Sequence, residues 1–227
     1  MLSLIIPLYN EEKHIECVIK RALELQKYVE LELIIVDDCS NDNSYEIAKN
    51  FNCAKVLKHK KNLGKGGALK TGFMEANGDF IGILDADLEY DPMDYLELLK
   101  PLIENKADVC YGSRYLAKTS KKVLPFYHTL MNKFLTFLSN LFSNLDITDM
   151  ETCFKLFKKD VIKKVAPKLK ENRFGFEVEI TMRLAKEKLR FWECAISYNP
   201  RSYLEGKKIK AKDGLRALYC ILKYGLN

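Results

Sequence analysis

Short apolar runs typical of β-strands alternate with helical patterns along the first 112 residues, and this alternation limits the possible folds more than any other feature. The strand runs are nearly continuous in Ile, Val and Leu, which predicts strands buried on both faces of a sheet. Strands that alternate with helices favour an α/β fold with a mostly parallel sheet and right-handed crossovers. The predicted strands are 2–8, 31–36, 54–58, 79–84 and 107–112, and the predicted helices are 11–26, 44–50, 66–77 and 92–105.

The second part of the chain is less regular. A long helical pattern at 123–145 is followed by a short strand at 153–157, helices near 160–165 and 176–188, and a strand at 190–198. A basic loop at 201–212 leads to a closing helix at 213–224. A length of 227 residues with 48% hydrophobic residues is enough for one substantial core, so we expect a single domain over 1–227.

Two acidic pairs stand where predicted strands end. Asp37 and Asp38 follow the second predicted strand, and Asp85 and Asp87 follow the fourth. Ligands of parallel sheets bind beyond the carboxyl ends of the strands, so both pairs are expected at the edge that binds a ligand. A surface turn easily supplies one such pair, but two pairs at two strand ends favour a functional edge over coincidence.

The segment GILDADLEYDP, residues 82–92, spaces its first two carboxylates as metal ligands. Alternate residues of an extended backbone point the same way, so Asp85 and Asp87 can meet one Mg²⁺ or Mn²⁺, with Glu89 as a third ligand directly or through water. Such a cation would also hold a diphosphate. Phosphatases of the haloacid-dehalogenase type use Asp-x-Asp after a strand too, with the first Asp as nucleophile. Their pattern has Thr or Val at the position of Glu89 and follows the first core strand rather than the fourth.

The glycine-rich segment NLGKGGALKTG, residues 62–72, opens a predicted helix. It matches neither of the common glycine-rich phosphate motifs. A helix N-terminus can still face an anion, and Lys65 and Lys70 favour contact with phosphate. The alternative is that the glycines only permit a tight turn.

Charge is divided along the chain. Residues 1–100 hold 12 Lys and Arg against 18 Asp and Glu, whereas residues 101–227 hold 25 against 13. An acidic part suits a cation site and a basic part suits phosphates or an anionic membrane surface, although solvated surface charge also gives such a division. The basic part lacks a nucleic-acid recognition motif, so we expect no nucleic-acid partner. The lysines expected to be solvated are those at 155, 158, 159, 163, 164, 168 and 170.

Cysteine usage and hydropathy bear on the compartment. Seven cysteines without a Cys-x-x-Cys pair or zinc spacing predict reduced, mostly buried thiols, as in cytoplasmic proteins. The N-terminus lacks the basic start of a signal peptide, and no stretch approaches the roughly 20 apolar residues of a membrane span. We therefore expect a cytoplasmic protein whose contact with a membrane is peripheral.

The helical pattern at 123–145 is the candidate for such a contact. Its broad apolar face either packs under the sheet or lies at a membrane surface, and packing is the commoner outcome. The face comprises Leu130, Phe134, Phe137, Leu138, Leu141 and Leu145, widened by Tyr127, Met131, Leu135 and Phe142 and flanked by Lys121, Lys122 and Lys133.

In order along nearly the whole chain, the sequence resembles the inverting family-2 glycosyltransferases of the GT-A fold, and within them the polyprenyl-phosphate sugar synthases of the dolichol-phosphate mannose synthase type. The segments that carry the resemblance are SLIIPLYNEE, LIIVDDCSND, KNLGKGGALKTGF, GDFIGILDADLEYDP, ADVCYGSR, DMETCFKLF, NRFGFEVEIT and ISYNPRSYLEGKK. The resemblance implies a GT-A, Rossmann-like, mostly parallel sheet flanked by helices, with C-terminal helices on the acceptor side. Residues 1–112 would bind the nucleotide-sugar, and residues 113–227 would bind the acceptor and its phosphate.

The resemblance also implies roles for individual residues. Asp85 and Asp87 would manage the diphosphate and its metal, and Asp149 would orient the acceptor or act as a base toward a hydroxyl acceptor. The base and ribose would contact Pro7, Tyr9, Glu11, Asp37 and Asp38, and phosphates of the donor or lipid would contact Arg114, Arg201 and Lys207. The chain departs from the family pattern at residues 152–155, which read TCFK where relatives read Ser-Gly-Phe-Arg, at Lys208, where Ser is common, and at Glu89, where Gln is frequent.

The implied reaction transfers a hexose from a UDP- or GDP-sugar to a polyprenyl phosphate with inversion. The cation would stabilise the departing nucleoside diphosphate. Such an enzyme works at the cytoplasmic face of a membrane, either without a span of its own or with a membrane-protein partner. The alternatives are a hydroxyl acceptor on a glycan or protein, a metal-dependent phosphatase or nucleotidyltransferase, and a catalytically silent scaffold that binds nucleotide-sugars.

Overall fold

The structure is a computed structural model that describes residues 1–116, 122, 123, 125–201 and 211–226, with the backbone alone at residues 211 and 212. Its strands are Leu2–Leu8 (β1), Leu31–Asp37 (β2), Ala54–Lys58 (β3), Phe80–Ile83 (β4), Val109–Ser113 (β5), Lys155–Lys158 (β6) and Phe191–Ala195 (β7). Its α-helices are Ile15–Leu23 (α1), Ser44–Lys49 (α2), Lys65–Glu75 (α3), Tyr95–Ile103 (α4), Phe126–Ser143 (α5), Lys159–Val165 (α6), Phe176–Ala185 (α7) and Ala211–Gly225 (α8). Short 3₁₀ helices cover Glu24–Lys27, Pro92–Asp94 and Ala166–Lys168.

The strands form one sheet in the order β3-β2-β1-β4-β6-β5-β7. β1 pairs in parallel with β2 and β4, β2 with β3, and β5 with β7, whereas β6 runs antiparallel between β4 and β5. The predicted α/β fold with a mostly parallel sheet is confirmed. Because β6 inserts between β4 and β5, the sheet continues across residue 112; the division of one domain into two functional halves stays a prediction.

Apolar side chains on both faces of the sheet build two core layers. Successive residues of β1 alternate between them, since Leu4 and Ile6 belong to the layer that includes α1, α2 and α4 while Ile5 belongs to the layer that includes α3, α6, α7 and α8. The sheet is thus covered on both faces, as parallel sheets generally are. Its carboxyl edge is left as the surface on which loops converge.

Helices α1 and α5 are shorter than their sequence patterns predict. Residues 11–14 belong to the loop after β1, where the Glu11 N–H donates to Ser44 Oγ at 2.8 Å. Helix α5 begins after Pro125 and ends at Ser143; the next residue, Asn144, has a φ of 54°, in the left-handed region that terminates helices. The other elements differ from their predicted bounds by no more than three residues at either end.

The expectation that the apolar face of α5 packs under the sheet is wrong for most of that face. Leu135, Leu138 and Phe142 pack against the core, and α5 contacts α7 and α8. Its outer side is exposed to solvent, as Phe137 (64%) and Leu141 (67%) illustrate. We name the exposed apolar side chains of α5 and α8, with Leu226 directly after α8, the α5–α8 surface; they are Phe126, Tyr127, Leu130, Met131, Phe134, Phe137, Leu141, Leu215, Tyr219, Leu222 and Leu226.

Two further sequence expectations concern hydrophobicity. Among the residues that the structure describes, no helix has both the length and the apolar content needed to cross a bilayer. The expectation of mostly buried thiols is wrong, because four of the seven cysteines are exposed or half-buried and three are buried: Cys110, Cys153 and Cys220.

Candidate active site

The loops after β1, β2 and β4 meet at the carboxyl edge of the sheet. β1 lies between β2 and β4 and runs parallel to both, so the residues after these strands emerge side by side. Glu11 follows β1, Asp37 ends β2 with Asp38 next, and Asp85 and Asp87 follow β4. The prediction that the two acidic pairs share one edge is confirmed.

Asp38 organises the glycine-rich loop that precedes α3. Its buried carboxylate accepts hydrogen bonds from the Leu63 N–H at 2.8 Å and the Gly64 N–H at 2.6 Å. His59 Nδ1 lies 2.7 Å from Asp38 Oδ1, while His59 Nε2 contacts Thr71. Asp38 therefore fixes the loop that delivers α3 to the edge.

Asp37 is buried and only half-satisfied by the chain. Its Oδ2 accepts from the Ser40 N–H at 3.2 Å, and its buried Oδ1 has no hydrogen-bond partner among the described residues. Pro7 lies in β1, paired with Val36, and Tyr9 follows that strand half-buried. The donor-side residues predicted from the sequence thus lie around the ends of β1 and β2; their contacts with base and ribose stay predictions.

Lys65 joins two acidic residues beneath the edge. It is the first residue of α3, and its ammonium lies 2.9 Å from Asp85 Oδ1 and 3.2 Å from Glu177 Oε1. Burial opposes ionisation of Asp85, but the charge of Lys65, the hydrogen bonds from Cys153 and Lys65 and the charge of Arg201 together outweigh it, so the pKa of Asp85 is lowered. Cys153 donates a further hydrogen bond to Asp85 Oδ2. Burial raises the pKa of Cys153, which keeps it a thiol donor.

Arg201 connects three carboxylates that come from different loops. Its guanidinium nitrogens lie 3.1 Å from both Glu11 Oε2 and Asp87 Oδ2, and its Nε lies 3.9 Å from Glu89 Oε1. Burial, together with the negative charges of Asp85 and Glu89, raises the pKa of Asp87 to about 7. Asp87 is therefore surrounded by more negative charge than Arg201 neutralises.

Glu89 holds the segment that carries Arg201. Its Oε1 accepts from the Arg201 N–H at 2.8 Å, and its Oε2 accepts from the Tyr198 hydroxyl at 2.9 Å. The Glu89 carbonyl also accepts from the Asn199 N–H at 2.8 Å. Both carboxylate oxygens thus have protein donors, and the role of Glu89 as a metal ligand stays a prediction.

Arg114 and Asp149 form a buried ion pair at the end of β5. Asp149 accepts from Arg114 Nε and Nη2, both at 2.7 Å, and from the Arg114 N–H at 3.0 Å. Burial would lower the pKa of Arg114, but the charge and hydrogen bonds of Asp149, together with Tyr90 and Tyr198, outweigh burial and raise the pKa of Arg114 well above its usual value. The guanidinium also lies 5.2 Å from the centroid of the Tyr198 ring. Asp149 consequently fixes the position and charge of Arg114.

A pocket of about 870 Å³ opens beside this ion pair. Its described lining combines the cationic side chains of Arg21, Arg114 and Lys122 with apolar ones. The apolar lining comprises Leu88, Leu116, Val123, Phe126 and Ile196. Glu89 and Tyr198 also line it, so the pocket borders the carboxylates that contact Arg201.

Sequence reasoning missed several residues of this edge. Glu177 contacts Lys65, Cys153 contacts Asp85, and Tyr198 supports Glu89. Glu193 accepts hydrogen bonds from the Thr148 N–H and the Asp149 N–H. Glu177 and Tyr198 lie within segments that carry the family resemblance, but the sequence gives no sign of what they contact.

Lys155 is buried, so its assignment as a solvated lysine is wrong. Its ammonium donates to the carbonyls of Met150 and Thr152 and lies 4.4 Å from the centroid of the Tyr111 ring. Burial lowers the pKa of Lys155 to about 8. Residues 152–155, where the chain departs from the family pattern, therefore end with a lysine that is buried in the core.

The glycines of residues 62–72 are explained by close packing. A Cβ on Gly64 or Gly66 would lie 2.4 Å from a backbone carbonyl oxygen, of Asn172 and Glu171 respectively. Gly64 also has a φ of +91°, which favours glycine. Lys70 contacts Asn172 Oδ1. These contacts favour the tight-turn alternative, and the phosphate roles of Lys65 and Lys70 stay predictions.

Two lysines of the sequence predictions lie outside the described residues: Lys207, predicted to contact phosphate, and Lys121, which flanks the predicted apolar face of 123–145. Lys208, at which the chain departs from the family pattern, also lies outside them. Among the His, Cys, Asp and Glu side chains of the described ranges, no group of three is arranged to hold a metal ion by itself. The metal set Asp85, Asp87 and Glu89 stays a prediction.

Comparison with known proteins gives two similar enzymes. The chain is 29% identical over 241 residues to the UDP-N-acetylglucosamine–dolichyl-phosphate N-acetylglucosaminyltransferase of Methanococcus voltae, covering 98% of this chain and 95% of the relative. It is 29% identical over 231 residues to the dolichol-phosphate mannosyltransferase of Pyrococcus furiosus, covering 98% of this chain but 64% of the relative. The chain thus spans less than two thirds of the mannosyltransferase.

Solved structures share the fold at low identity. Glucosyl-3-phosphoglycerate synthase from Mycobacterium tuberculosis, in complex with Mn²⁺, UDP and phosphoglyceric acid, superposes with a TM-score of 0.77 at 17% identity, covering 99% of this chain and 78% of that one. Residues 1–349 of Staphylococcus aureus TarS, in complex with UDP-GlcNAc, superpose with a TM-score of 0.69 at 18% identity, covering all of this chain and 66% of that one.

The family assignment rests on most of the chain. The model for glycosyl transferase family 2 matches residues 3–166, a range that includes Asp38, Asp85, Asp87 and the Arg114–Asp149 pair. The resemblance and the GT-A fold inferred from the sequence are confirmed. The chain therefore belongs to glycosyl transferase family 2 and is a glycosyltransferase.

Proposed function

We propose that the chain transfers a hexose from a UDP- or GDP-sugar to a polyprenyl phosphate, with inversion and with Mg²⁺ or Mn²⁺ as cofactor. The observation that carries the proposal is the charge of the carboxyl edge. In the described part of the chain, five carboxylates contact two permanently cationic side chains, Lys65 and Arg201. The carboxylates are those of Glu11, Asp85, Asp87, Glu89 and Glu177.

The residues present fit a divalent cation. Their donors are carboxylate oxygens, which Mg²⁺ and Mn²⁺ prefer. Burial and the negative charges of Asp85 and Glu89 raise the pKa of Asp87, and a bound cation would offset both. Mg²⁺ commonly binds one or two carboxylates together with substrate phosphates, and Asp85 and Asp87 supply those two. When bound, the cation stabilises the charge of the leaving nucleoside diphosphate. The structural neighbour that holds Mn²⁺ with UDP supports this assignment.

The end of β2 suits the nucleoside of the donor. Asp37 Oδ1 is a buried acceptor without a partner in the described chain, and such an atom is satisfied by a hydroxyl or N–H of a bound molecule. Glu11 and Tyr9 stand on the neighbouring strand end. Lys65, one residue after the loop that Asp38 fixes, contacts the diphosphate.

The pocket beside Arg114 suits a lipid phosphate. Arginine and lysine recognise phosphate oxygens, and the apolar lining at Val123 and Phe126 accommodates hydrocarbon. The dolichyl-phosphate relatives support a polyprenyl acceptor over other phosphates. Arg114, held by Asp149, orients the acceptor oxygen toward the anomeric carbon.

The chain performs the reaction by positioning and charge. A phosphate monoester is already ionised near neutral pH, because its second pKa is about 6, so its attack needs no strong base. Both carboxylate oxygens of Asp149 are engaged by Arg114, so Asp149 acts through that arginine. Lys65 and Arg201 stabilise the diphosphate as it leaves, which is where charge develops.

The α5–α8 surface contacts an anionic membrane at its cytoplasmic face. Helix α5 contains no Asp or Glu, carries Lys133, and begins at Phe126, which lines the acceptor pocket. Exposed aromatic and aliphatic side chains next to lysines bind the interface of anionic lipids. A lipid acceptor thereby reaches Arg114 from the membrane, with or without a membrane-protein partner.

Transfer assays with matched acceptors test the proposal. The chain is incubated with a panel of UDP- and GDP-sugars and a short polyprenyl phosphate, with Mn²⁺ or with EDTA. We expect a product that is labile to mild acid, as a sugar–phosphate–lipid is. NMR should show that its anomeric configuration is opposite to that of the sugar in the nucleotide-sugar donor. The unphosphorylated polyprenol is the control acceptor and should give no product.

Three outcomes contradict the proposal. Equal transfer to polyprenol or to a glycan hydroxyl means that the acceptor is not a phosphate. Full activity in EDTA means that the reaction does not require a divalent cation. Binding of nucleotide-sugars without transfer to any acceptor in the panel means that the chain is a scaffold.

A further inference from the structure

Two thiols lie side by side on neighbouring strands at one end of the sheet. Cys110 is in β5 and Cys194 is in β7, and these parallel strands are neighbours in which Cys110 is in register with Trp192. Their Sγ atoms are 3.6 Å apart. Of the seven cysteines, all of which the structure describes, this is the pair whose sulfur atoms are in contact.

We propose that Cys110 and Cys194 form an oxidation site, at which a peroxide converts the two thiols into one intramolecular disulfide. No step of the sugar transfer uses either thiol. Formation of the disulfide therefore requires neither the proposed acceptor nor the proposed donor.

The geometry leaves a short distance to close. A disulfide has an S–S distance of about 2.05 Å, so the sulfur atoms approach by about 1.5 Å. Cys194 lies two residues beyond the register partner of Cys110, so the bond also requires β7 to shift along β5. β7 is the last strand of the sheet, with β5 as its single strand neighbour in the described residues. An edge strand moves more readily than a strand held on both sides, so β7 makes most of the adjustment.

The two thiols have different roles in the reaction. Cys194 is half-buried and reachable by a small oxidant, whereas Cys110 is buried. Either sulfur can donate the hydrogen bond between them, and Cys194 Sγ also lies 3.7 Å from the Glu97 carbonyl oxygen. Because Cys194 is the more accessible sulfur, it attacks the peroxide once it has lost its proton.

The chemistry balances with hydrogen peroxide as the oxidant. The Cys194 thiolate attacks one peroxide oxygen, the O–O bond breaks, and the departing hydroxide takes up a proton to become water, leaving a sulfenic acid. The Cys110 sulfur then attacks the Cys194 sulfur, the S–O bond breaks, and the oxygen leaves as a second water with the Cys110 proton. Two thiols and one hydrogen peroxide give one disulfide and two water molecules.

Oxidation at this site reaches the acceptor pocket through both strands. Arg114 lies four residues after Cys110, and Tyr198 lies four residues after Cys194. Between these strands the packing is already tight, since a Cβ on Gly112 would lie 2.7 Å from Ile196 Cγ2. A shift of β7 toward β5 is therefore passed on to the pocket wall at Ile196 and Tyr198 rather than absorbed.

Peptide mapping of the whole chain tests the proposal. The folded protein is treated with hydrogen peroxide, quenched with catalase, unfolded in an alkylating reagent and digested with trypsin. The two cysteines fall in separate peptides with one cysteine each, ADVCYGSR and FWECAISYNPR. We expect these peptides joined by a disulfide as the dominant product, and separate again after dithiothreitol.

Matched variants and a spectroscopic signal complete the test. Cys194→Ser should reduce the joined peptide to background, whereas Cys17→Ser and Cys53→Ser, at exposed positions, should leave its yield unchanged. The chain has one tryptophan, Trp192, two residues before Cys194, so its emission should fall on oxidation and recover on reduction in the folded wild type. The proposal is overturned if peroxide oxidises Cys17 and Cys53 while Cys110 and Cys194 remain alkylated as free thiols with unchanged Trp192 emission.

Discussion

Replacing Asp149 by Asn should destabilise the fold far more than the loss of an ordinary ion pair. Asp149 is completely buried, the Arg114 side chain is 7% exposed, and three hydrogen bonds join them. Asn keeps the shape but removes the charge, which leaves a buried guanidinium without its counterion. Breaking a buried pair in this way costs about 3–5 kcal/mol. With a urea slope of about 2 kcal/mol per molar, the unfolding midpoint should fall by roughly 1.5–2.5 M.

The assay is urea unfolding followed by far-UV circular dichroism, with two comparison variants. Glu97→Gln removes an exposed pair with Lys100, and exposed pairs contribute at most about 1 kcal/mol, so its midpoint should barely move. The double variant Arg114→Met with Asp149→Asn should be more stable than Asp149→Asn alone, because no unpaired charge remains buried. A midpoint for Asp149→Asn close to that of Glu97→Gln would refute the reasoning.

Three further predictions concern stability and membrane contact. Burial lowers the pKa of Lys155 to about 8 from 10.5, so its charged form is disfavoured in the fold. The free energy of unfolding of the wild type should therefore rise by about 2 kcal/mol between pH 8 and pH 10 relative to Lys155→Met, and a pH-independent difference in urea titrations would contradict this. Gly66→Ala places a Cβ against the Glu171 carbonyl oxygen and should lower the melting temperature. Gly214→Ala in α8, with open space around it, should raise the free energy of unfolding by about 0.5–1 kcal/mol. Equal effects of the two variants in thermal unfolding would contradict the packing argument. Phe137→Glu on the α5–α8 surface should reduce sedimentation with anionic liposomes at unchanged stability, while Ile103→Glu, equally exposed on α4 in the opposite layer, should not.

Much of the sheet was predictable because its buried strands have a recognisable sequence pattern. Strands buried on both faces read as continuous apolar runs, so β1, β2 and β4 could be located before any contact was known. The antiparallel insertion of β6 between β4 and β5 could not, because strand order depends on tertiary packing that a local pattern does not encode.

The candidate site was predictable where its residues share a strand end. Asp85 and Asp87 stand two residues apart, so their common edge followed from spacing. Glu177 and Tyr198 reach the same edge from segments about 90–110 residues away in sequence, and nothing local indicates the contacts they make there. Charge alone also misled, since Lys155 has the same residue type as the solvated lysines around it but lies in the core.

The fate of α5 shows a second limit. An apolar stripe with a period of 3.6 residues is the same whether the helix faces a core or a lipid surface. The structure separates these cases, because it leaves Phe137 and Leu141 exposed while Leu135 packs inside.

Calorimetry of nucleotide binding tests most directly whether the carboxylates after β4 hold a cation with a nucleoside diphosphate. UDP and GDP are titrated into the wild type, Asp87→Asn and Asp91→Asn, each with Mn²⁺ and with EDTA. Asp91 belongs to the same acidic stretch but is used to cap a short helix through the Met93 N–H, which Asn can also do. The account predicts that Mn²⁺ tightens binding of one nucleotide by at least about tenfold, or 1.4 kcal/mol, in the wild type and Asp91→Asn but not in Asp87→Asn. Equal affinity with Mn²⁺ and with EDTA in the wild type would contradict it.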